Sequence, residues 1–561
     1  MAIYKFPEVN DKVIDESLSP LLNQLLLARG ITKKAEVDEF LAPNYETHLH
    51  DPKAMNDMEA ACVRIEEAMK NDERIGIFSD YDCDGIPGAV VLHDFFTSIG
   101  YTNFQNYIPH RHFEGFGLST KAVDKLKEDG VSLIITIDCG TSNVEEVAHA
   151  TKEGVGVIIT DHHEAPTELP KAVAIVNPKL GNYPFDGLCG AGVVFKLIQA
   201  LLERNDYGLI PGKEKWWLDM VGVATIADMV PLVDENRALA HYGLKVLRKS
   251  RRPGLQQLLK KARVNQLYLT EEDIGFTIGP RVNAASRMDT PEDAFYMLAE
   301  TDLEKASERV EHLEKLNQDR KTQVALMTKD IHKRLKALEE VPAVLVMGSP
   351  DWRPSLVGLA ASKLAEEYNK PVFLWGTDGN GVYKGSCRSG GTVSVVTLME
   401  GCKDVFIEHG GHHFSGGFSV KDEHIHSFGQ SLNEAMHELG AEAEIKEEVQ
   451  IDAELSLNDV NQLIIKELER LAPFGTGNHK PVFAFKNVTP RQVDVFGKTK
   501  EHTKIIFDSE NGQLEAISFF QKPEDFNKVP TANTPFTLLA NVEQSFFMGR
   551  RQIRMMIVDI I

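Results

Sequence analysis

Three nearly continuous runs of apolar residues alternate with helical patterns, and this alternation restricts the fold more than any other feature. The runs cover residues 74–78, 132–137 and 155–160, and each intervening helical pattern ends at a glycine. Apolar strands that alternate with helices are typical of a parallel sheet covered on both faces. The sequence therefore predicts an α/β domain in this part of the chain.

Acidic and histidine residues follow each of these predicted strands. They are Asp80, Asp82 and Asp84 after the first strand, Asp138 after the second, and Asp161, His162 and His163 after the third. Ligands of such sheets bind beyond the carboxyl ends of the strands, so these side chains should meet at one edge. The first three acids alternate, and in an extended segment alternate side chains point the same way.

Carboxylates held that close repel each other unless a cation lies between them. Oxygen-rich clusters suit Mg²⁺ or Mn²⁺. The other interpretation of each segment is a solvated acidic turn. Asp228 is a further candidate, because it ends an apolar helix-like stretch and a buried acid is costly unless it is paired or binds a metal. The alternatives for Asp228 are a helix-end acid or a partner for Arg237.

Length and composition describe a multidomain globular chain. Its 561 residues suggest three or four domains, and 42% of them are hydrophobic and 26% charged. No apolar run is long enough to cross a membrane, and the amino terminus lacks a signal pattern, so we expect a cytoplasmic protein with no membrane partner. The net charge of -22 argues against a nucleic-acid partner, but phosphate contacts need only a local basic surface.

Two further patterns lie in the second half of the chain. Residues 303–340 predict one long helix, and short alternating strands after residue 447 predict a small all-β domain compatible with an OB barrel. Segments 385–391 and 409–417 are rich in glycine and are interpreted as loops whose N–H groups approach phosphate oxygens.

Several motifs carry a resemblance to a known family. Segments 80–85 (DYDCDG), 137–140 (IDCG), 161–164 (DHHE) and 227–231 (ADMVP) are similar, in order and spacing, to the four motifs of the DHH phosphoesterase superfamily. The chain also resembles the RecJ branch, which comprises 5′-to-3′ single-strand-specific exonucleases, at 279–285, 316–321, 385–389, 410–412 and 471–478. Pro87-Gly88, Ser286 and Arg353 depart from the usual pattern, which could alter strand preference or rate.

This resemblance implies a multidomain α/β fold. The expected parts are an amino-terminal helical segment (1–70), a DHH catalytic domain with a parallel sheet (71–300), a connecting helix (301–340), an α/β DHHA1 domain (341–440) and an all-β OB-like barrel (447–561). On the barrel, candidate side chains for stacking on or binding a single strand are Phe546, Phe547, Arg550, Arg551 and Arg554.

The resemblance also implies a metal-dependent site with two divalent ions, Mn²⁺ in preference to Mg²⁺. Asp138 would bridge them, Asp80 and Asp82 would bind one ion, and Asp84, His162 and Asp228 the other; whether Asp80 ligates directly is left open. His163 would contact the scissile phosphate, and Asp161 would orient the adjacent imidazole. Arg111, Arg281, Asn283, Arg388 and His412 would hold the phosphates and the 5′ end of the strand.

The implied function is 5′-to-3′ degradation of single-stranded DNA in repair and recombination. The implied protein is a monomer, with a single-strand-binding protein and a helicase as candidate partners. Two alternatives remain. One is a phosphodiesterase for oligoribonucleotides or cyclic dinucleotides, although such enzymes are typically shorter. The other is a non-catalytic DNA-binding scaffold, although such relatives tend to lose the metal-binding acids that this chain retains.

Overall fold

The computed structural model describes residues 3–6, 12–377, 382–391, 393–440, 448–497, 500–547 and 550–561, without the side chains of Phe546, Phe547 and Arg550. The first half of the chain contains β1 (Ile3–Lys5), α1 (Pro20–Ala28), α2 (Lys34–Leu41), α3 (Met58–Lys70), β2 (Arg74–Ser79), α4 (Gly85–Ser98), β3 (Phe104–Tyr107), α5 (Thr120–Glu128), β4 (Val131–Ile137), α6 (Val144–Lys152), β5 (Gly156–Thr160), β6 (Ala174–Val176), α7 (Gly190–Arg204) and α8 (Leu218–Ala227). There follow α9 (Asp234–Leu247), α10 (Pro253–Ala262), α11 (Glu271–Asp273), a π-helical turn (Ile274–Ile278), α12 (Gly279–Met288), α13 (Glu292–Ala299) and α14 (Leu303–Leu335).

The remaining elements are β7 (Leu345–Gly348), α15 (Pro354–Tyr368), β8 (Val372–Thr377), β9 (Tyr383–Arg388), α16 (Val395–Gly401), β10 (Phe406–Gly411), β11 (Ser415–Val420), α17 (Phe428–Glu438), β12 (Glu448–Gln450), β13 (Ala453–Glu454), α18 (Gln462–Leu471), β14 (Phe483–Val488), β15 (Gln492–Phe496), β16 (His502–Ser509), β17 (Gly512–Ser518), β18 (Phe536–Phe547) and β19 (Arg550–Ile560). The chain divides into two compact units. One comprises residues 51–228 and 243–445, and the other comprises 1–50, 229–242 and 446–561.

A five-stranded sheet in the order β3-β2-β4-β5-β6 forms the first α/β domain, and all its strands are parallel. The predicted parallel sheet is confirmed. Its apolar strands are buried because helices cover both faces. On one face, Phe78 and Ile134 pack with Val123 of α5 and Val147 of α6. On the other face, α4 packs on β2, α7 and α8. The strands therefore end together at a single edge.

The second α/β domain has the strand order β10-β11-β9-β8-β7, in which only β7 and β8 are parallel. The interpretation of the glycine-rich segments as loops is wrong in part, because β9, β10 and β11 are built from them. The backbone of these segments pairs with neighbouring strands. Gly385 is required for packing, since a Cβ there would overlap the ring of Phe418.

The long helix α14 begins where the sequence predicts and ends five residues earlier, at Leu335. Asp302 caps its start by accepting hydrogen bonds from the backbone N–H groups of Glu304 and Lys305. Along this helix the sequence places a mainly apolar stripe, and most of it is buried, including Ala306, Val310, Leu313, Asn317, Ile331 and Leu335. Leu338 lies beyond the helix and is exposed.

The other unit contains a seven-stranded sheet in the order β13-β14-β18-β19-β17-β16-β15. Residues of β14, β16, β17, β18 and β19 share one hydrophobic core, and β17 and β19 form a parallel pair. This arrangement confirms the predicted OB-like barrel. Residues from the amino terminus complete its core, since Leu22, Leu25 and Leu26 of α1 pack with barrel residues such as Phe483.

Within this unit, Arg554 forms an ion pair with Glu543, while the side chains of Phe546, Phe547 and Arg550 lie outside the described residues. None of the described helices combines the length and the apolar character needed to cross a bilayer.

Candidate metal centre and phosphate-binding site

Three acids of the candidate site occupy equivalent positions, each directly after a strand of the parallel sheet. Asp80 follows β2, Asp138 follows β4 and Asp161 follows β5. The backbone N–H of Asp80 donates to the carbonyl of Ile137 at 3.1 Å, and that of Asp138 to the carbonyl of Thr160 at 2.9 Å. The strand register therefore places these carboxylates side by side, as the sequence predicts.

The prediction that Asp80, Asp82 and Asp84 alternate along a strand is wrong, because β2 ends at Ser79 and the segment turns into α4. Asp82 stabilises this turn, since its Oδ1 accepts hydrogen bonds from the backbone N–H groups of Asp84 and Gly85. A Cβ at Gly85 would lie 2.5 Å from the carbonyl oxygen of Asp80, so the turn requires glycine. The turn still directs all three acids to the same edge of the sheet.

The structure brings the predicted ligands into three overlapping groups, and within each group the donor atoms lie within 4.8 Å of one another. The groups are Asp80, Asp82 and Asp138; Asp84, His162 and Asp228; and Asp138, His162 and His163. We call Asp80, Asp82, Asp84, Asp138 and Asp228 the acid cluster. Asp138 and His162 each belong to two of the groups.

His162 lies at the centre of these groups. Its Nε2 is 3.1 Å from Oδ1 of Asp138 and 3.7 Å from an oxygen of both Asp84 and Asp228. Asp228 directly follows α8, in agreement with its interpretation as a helix-end acid. Arg237, the alternative partner, donates to the carbonyl oxygens of Phe40 and Leu471.

The acid cluster is electrostatically unfavourable without cations. Burial raises the pKa of both Asp80 and Asp138 well above the ordinary value, and the charges of neighbouring acids raise it further. Burial, followed by the charges of Asp84 and Asp82, raises the pKa of Asp228 to about 8. Oδ1 of Asp80 and Oδ1 of Asp138 are buried and have no hydrogen-bond partner among the described residues. Unpartnered buried oxygens on repelling acids fit a site for divalent metal ions.

Asp161 has a different environment and a different role. Its Oδ1 accepts hydrogen bonds from the backbone N–H of His162 and from Nδ1 of His163, both at 2.8 Å, and its Oδ2 accepts one from the N–H of Thr141. Although burial alone would raise the pKa of Asp161, the hydrogen bonds from His163 and Thr141 hold it below the ordinary value. Burial opposes the charged form of His163, yet the bond to Asp161 raises the pKa of this imidazole. Asp161 therefore orients His163 and favours the charged form of its imidazole.

The five predicted substrate contacts are placed in different ways. Arg111 lies over the ring of Tyr81, 4.8 Å from its centroid. Arg388 donates to the hydroxyls of Ser362 and Ser386. His412 lies at the turn between β10 and β11 and is exposed, and Asn283 has a buried Oδ1 without a partner in the described part of the chain. Arg281 is already occupied, because it donates to both oxygens of Glu314 at 2.6 and 3.3 Å and to the carbonyl of Thr277.

The sequence did not single out two arginines near the site, Arg287 at the end of α12 and Arg320 on α14. Burial, followed by the charges of Arg111 and Arg320, lowers the pKa of Arg287 to about 9; Arg388 adds to this, whereas Asp82 opposes it. We call Arg111, Arg287, Arg320 and Arg388 the arginine cluster. Among the described ion pairs, none of these four arginines has a carboxylate partner. Asn317 offered a signal in the sequence, since an asparagine in the apolar stripe of a long helix requires a polar neighbour.

Comparisons with known proteins agree with this architecture. Three family models match in order: the DHH family amino-terminal domain at residues 74–225, the DHHA1 domain at 341–438 and the RecJ OB domain at 451–559. The single-stranded-DNA-specific exonuclease RecJ of Haemophilus influenzae is 31% identical over 520 residues, which cover 89% of each chain. The chain belongs to the RecJ family.

Another RecJ, from Bacillus subtilis, is 33% identical over 97% of this chain and 68% of its own length. The crystal structure of RecJ from Thermus thermophilus in complex with Mn²⁺ superposes with a TM-score of 0.83 and 25% identity, covering 100% of this chain and 79% of that one. The same RecJ has been solved with Mg²⁺, with a TM-score of 0.77, 24% identity and coverage of 100% and 78%. RecJ structures thus contain both ions that the sequence predicts.

Proposed function

We propose that the chain is a metal-dependent exonuclease that degrades single-stranded DNA from the 5′ end, with a role in DNA repair and recombination. One observation carries this proposal: a cluster of mutually repelling carboxylates, in which Oδ1 of Asp80 and Oδ1 of Asp138 have no hydrogen-bond partner among the described residues, lies beside a cluster of arginines without carboxylate partners among those residues. The first fits divalent cations and the second fits phosphate groups. The RecJ relatives are named single-stranded-DNA-specific exonucleases, which agrees with this substrate.

The proposed ligands follow the groups found in the structure. Asp80, Asp82 and Asp138 would hold one ion, and Asp84, His162 and Asp228 would hold the other. We propose that Asp138 serves both. Mixed carboxylate and imidazole ligands favour Mn²⁺ over Mg²⁺. When bound, such a pair of ions lowers the pKa of a water molecule and offsets the charge that develops on the phosphate oxygens.

Residues of the chain would orient the phosphates of the strand and supply a proton donor. Nδ1 of His163 is held by Asp161, so a protonated His163 presents Nε2–H to a phosphate oxygen. The arginine cluster would position the phosphates of the strand, because guanidinium groups bind phosphate oxygens in pairs. His412 and Asn283 would contribute further contacts to the strand.

Blocking each end of a long single strand in turn tests this proposal. We expect hydrolysis with Mn²⁺ when only the 3′ end is blocked, and almost none when the 5′ end is blocked. Equal loss from both ends would contradict the proposed polarity. Faster cleavage of a dinucleotide than of the long strand would favour the small-substrate phosphodiesterase, and binding without cleavage would favour the scaffold.

We further propose a cytoplasmic monomer that works with a single-strand-binding protein and a helicase. The support for the compartment is that all six cysteines are free thiols, five of them buried, as is usual in a reducing environment. Sedimentation of the chain alone and with a single-strand-binding protein would test the oligomeric state and the first partnership.

A further inference from the structure

A fully buried asparagine lies level with the acids at the edge of the parallel sheet. Asn177 directly follows β6, as Asp161 directly follows β5. Thr160 pairs with Val176, and the backbone N–H of Asp161 donates to the carbonyl of Val176 at 3.1 Å, so the two strands end in register. Asn177 therefore occupies the position that an acid holds on the neighbouring strand, but its side chain is an amide.

Both ends of this amide are hydrogen-bonded. Nδ2 of Asn177 donates to the backbone carbonyl of His163 at 3.0 Å and to Oγ1 of Thr141 at 3.1 Å. Its Oδ1 accepts a hydrogen bond from the backbone N–H of Lys179 at 3.0 Å. An ionised carboxylate cannot donate, so an aspartate here would turn an acceptor towards the carbonyl oxygen of His163. The contacts therefore require an amide at the end of β6.

These bonds belong to a closed ring of four residues. Thr141 is fully buried, and its backbone N–H donates to Oδ2 of Asp161 at 2.9 Å. Oδ1 of the same carboxylate accepts from Nδ1 of His163 at 2.8 Å. Asn177 closes the ring, because it binds the hydroxyl of Thr141 and the carbonyl of His163. His163 is thus held at its imidazole by Asp161 and at its main chain by Asn177.

We infer that Asn177 is a positioning residue for the hydrolysis, because it fixes where His163 presents Nε2 to the scissile phosphate. This inference rests on the proposed nuclease function and on the phosphate contact proposed for His163. A small displacement of a catalytic group lowers the rate strongly even when the substrate still binds. Asn177 belongs to none of the three groups of proposed metal ligands, so its effect should fall on the chemical step and not on ion binding.

The kinetics of Asn177→Ala test this role. With Mn²⁺ and a labelled oligothymidylate, we expect kcat to fall about 10- to 100-fold, as is usual when a residue that orients a catalytic group is lost. KM should stay the same, and so should the affinity for Mn²⁺ measured by titration calorimetry. Asn56→Ala is the matched control, because Asn56 also donates to the backbone of β6, at the carbonyl of Ile175, but lies outside the ring. It should keep the normal kcat.

A double-mutant cycle with His163 separates positioning from a general structural role. His163→Ala removes the group that Asn177 is inferred to position. In that background, Asn177→Ala should cause almost no further loss of kcat, although it causes a loss of tenfold or more in the unaltered chain. A residue that only stabilises the fold would cause the same loss in both backgrounds.

Thr141 supplies a second pair of variants, which also serves if Asn177→Ala does not fold. Thr141→Val removes the hydroxyl that Asn177 binds but keeps the backbone N–H that binds Asp161. We expect a smaller loss of kcat than in Asn177→Ala, with KM unchanged. Thr141→Ser keeps the hydroxyl and should restore the normal kcat.

Two results would overturn this inference alone, provided that His163→Ala is impaired. One is a normal kcat in Asn177→Ala or, if that variant does not fold, in Thr141→Val. The other is an equal loss from Asn177→Ala with and without His163. If the unaltered chain does not cut the strand, the proposed function is overturned, and this inference with it.

Discussion

The acid cluster and the arginine cluster are adjacent regions of one unit and carry opposite charges. Each of them lacks a ligand that would offset its charge. In the acid cluster, buried carboxylates repel one another, and the oxygens of Asp80 and Asp138 lack partners among the described residues. In the arginine cluster, Arg287 is surrounded by three further arginines. The comparison teaches that each region is completed by a ligand of the opposite sign, cations in the first and phosphates in the second.

The largest effect should come from removing the acid shared by two ligand groups. We expect Asp138→Ala to lower the hydrolysis rate roughly a thousandfold or more, because the position between the two proposed ions loses its oxygens. Binding of the strand in chelator should change little, since the arginine cluster is intact.

Asp124→Ala is the control, as this acid is exposed on α5 and pairs with His149. Steady-state hydrolysis and filter binding on the same preparations check both expectations. Hydrolysis by Asp138→Ala at the normal rate would show that the acid cluster is not the catalytic centre.

A smaller effect concerns the stability of the acid cluster itself. Mn²⁺ at one hundred times its dissociation constant should stabilise the fold by about 2.7 kcal/mol per site, because it binds only the folded chain. Asp138→Asn removes a buried charge that neighbouring acids repel, so we expect it to unfold at a higher temperature than the unaltered chain in chelator and to gain less from Mn²⁺. Thermal unfolding with and without Mn²⁺ measures both shifts, and an equal gain in both chains would contradict the assignment of Asp138.

The smallest effect distinguishes an arginine without a carboxylate partner from an arginine that has one. Arg388→Gln should weaken strand binding about tenfold, or about 1.4 kcal/mol, because Arg388 has no carboxylate partner among the described residues. Arg281→Gln should change binding less than about twofold and should instead lower stability, because its loss leaves Glu314 unpaired. Equilibrium binding and urea unfolding of the two variants check this contrast. Equal losses of affinity in both variants would contradict it.

The sequence predicts the parallel sheet and the position of its acids well, because both follow from local patterns. An apolar strand is visible in its own residues, and parallel strands must end at one edge, so Asp80, Asp138 and Asp161 could be grouped from the sequence alone. The turn after β2 could not be predicted in detail, because it depends on hydrogen bonds to Asp82 and on a close approach at Gly85.

The arginines were harder to predict, because the role of an arginine depends on partners that are distant in sequence. Arg281 is separated from Glu314 by 33 positions, so its ion pair is not visible in the motif around it. Arg287 and Arg320 lack such a partner among the described residues, and that too is apparent only when α12 and α14 are placed together. The same holds for Gly385 in a glycine-rich segment, which leaves room for the ring of Phe418 from the neighbouring strand.

The packing of α1 has a practical consequence for protein engineering. Leu22, Leu25 and Leu26 belong to the same apolar core as Phe483 and Leu538 of the barrel. Deletion of the barrel would therefore expose these leucines at the opposite end of the chain. A shortened enzyme made this way would expose an apolar surface of leucines and would tend to aggregate. A minimal nuclease therefore has to lose residues 1–50 together with the barrel.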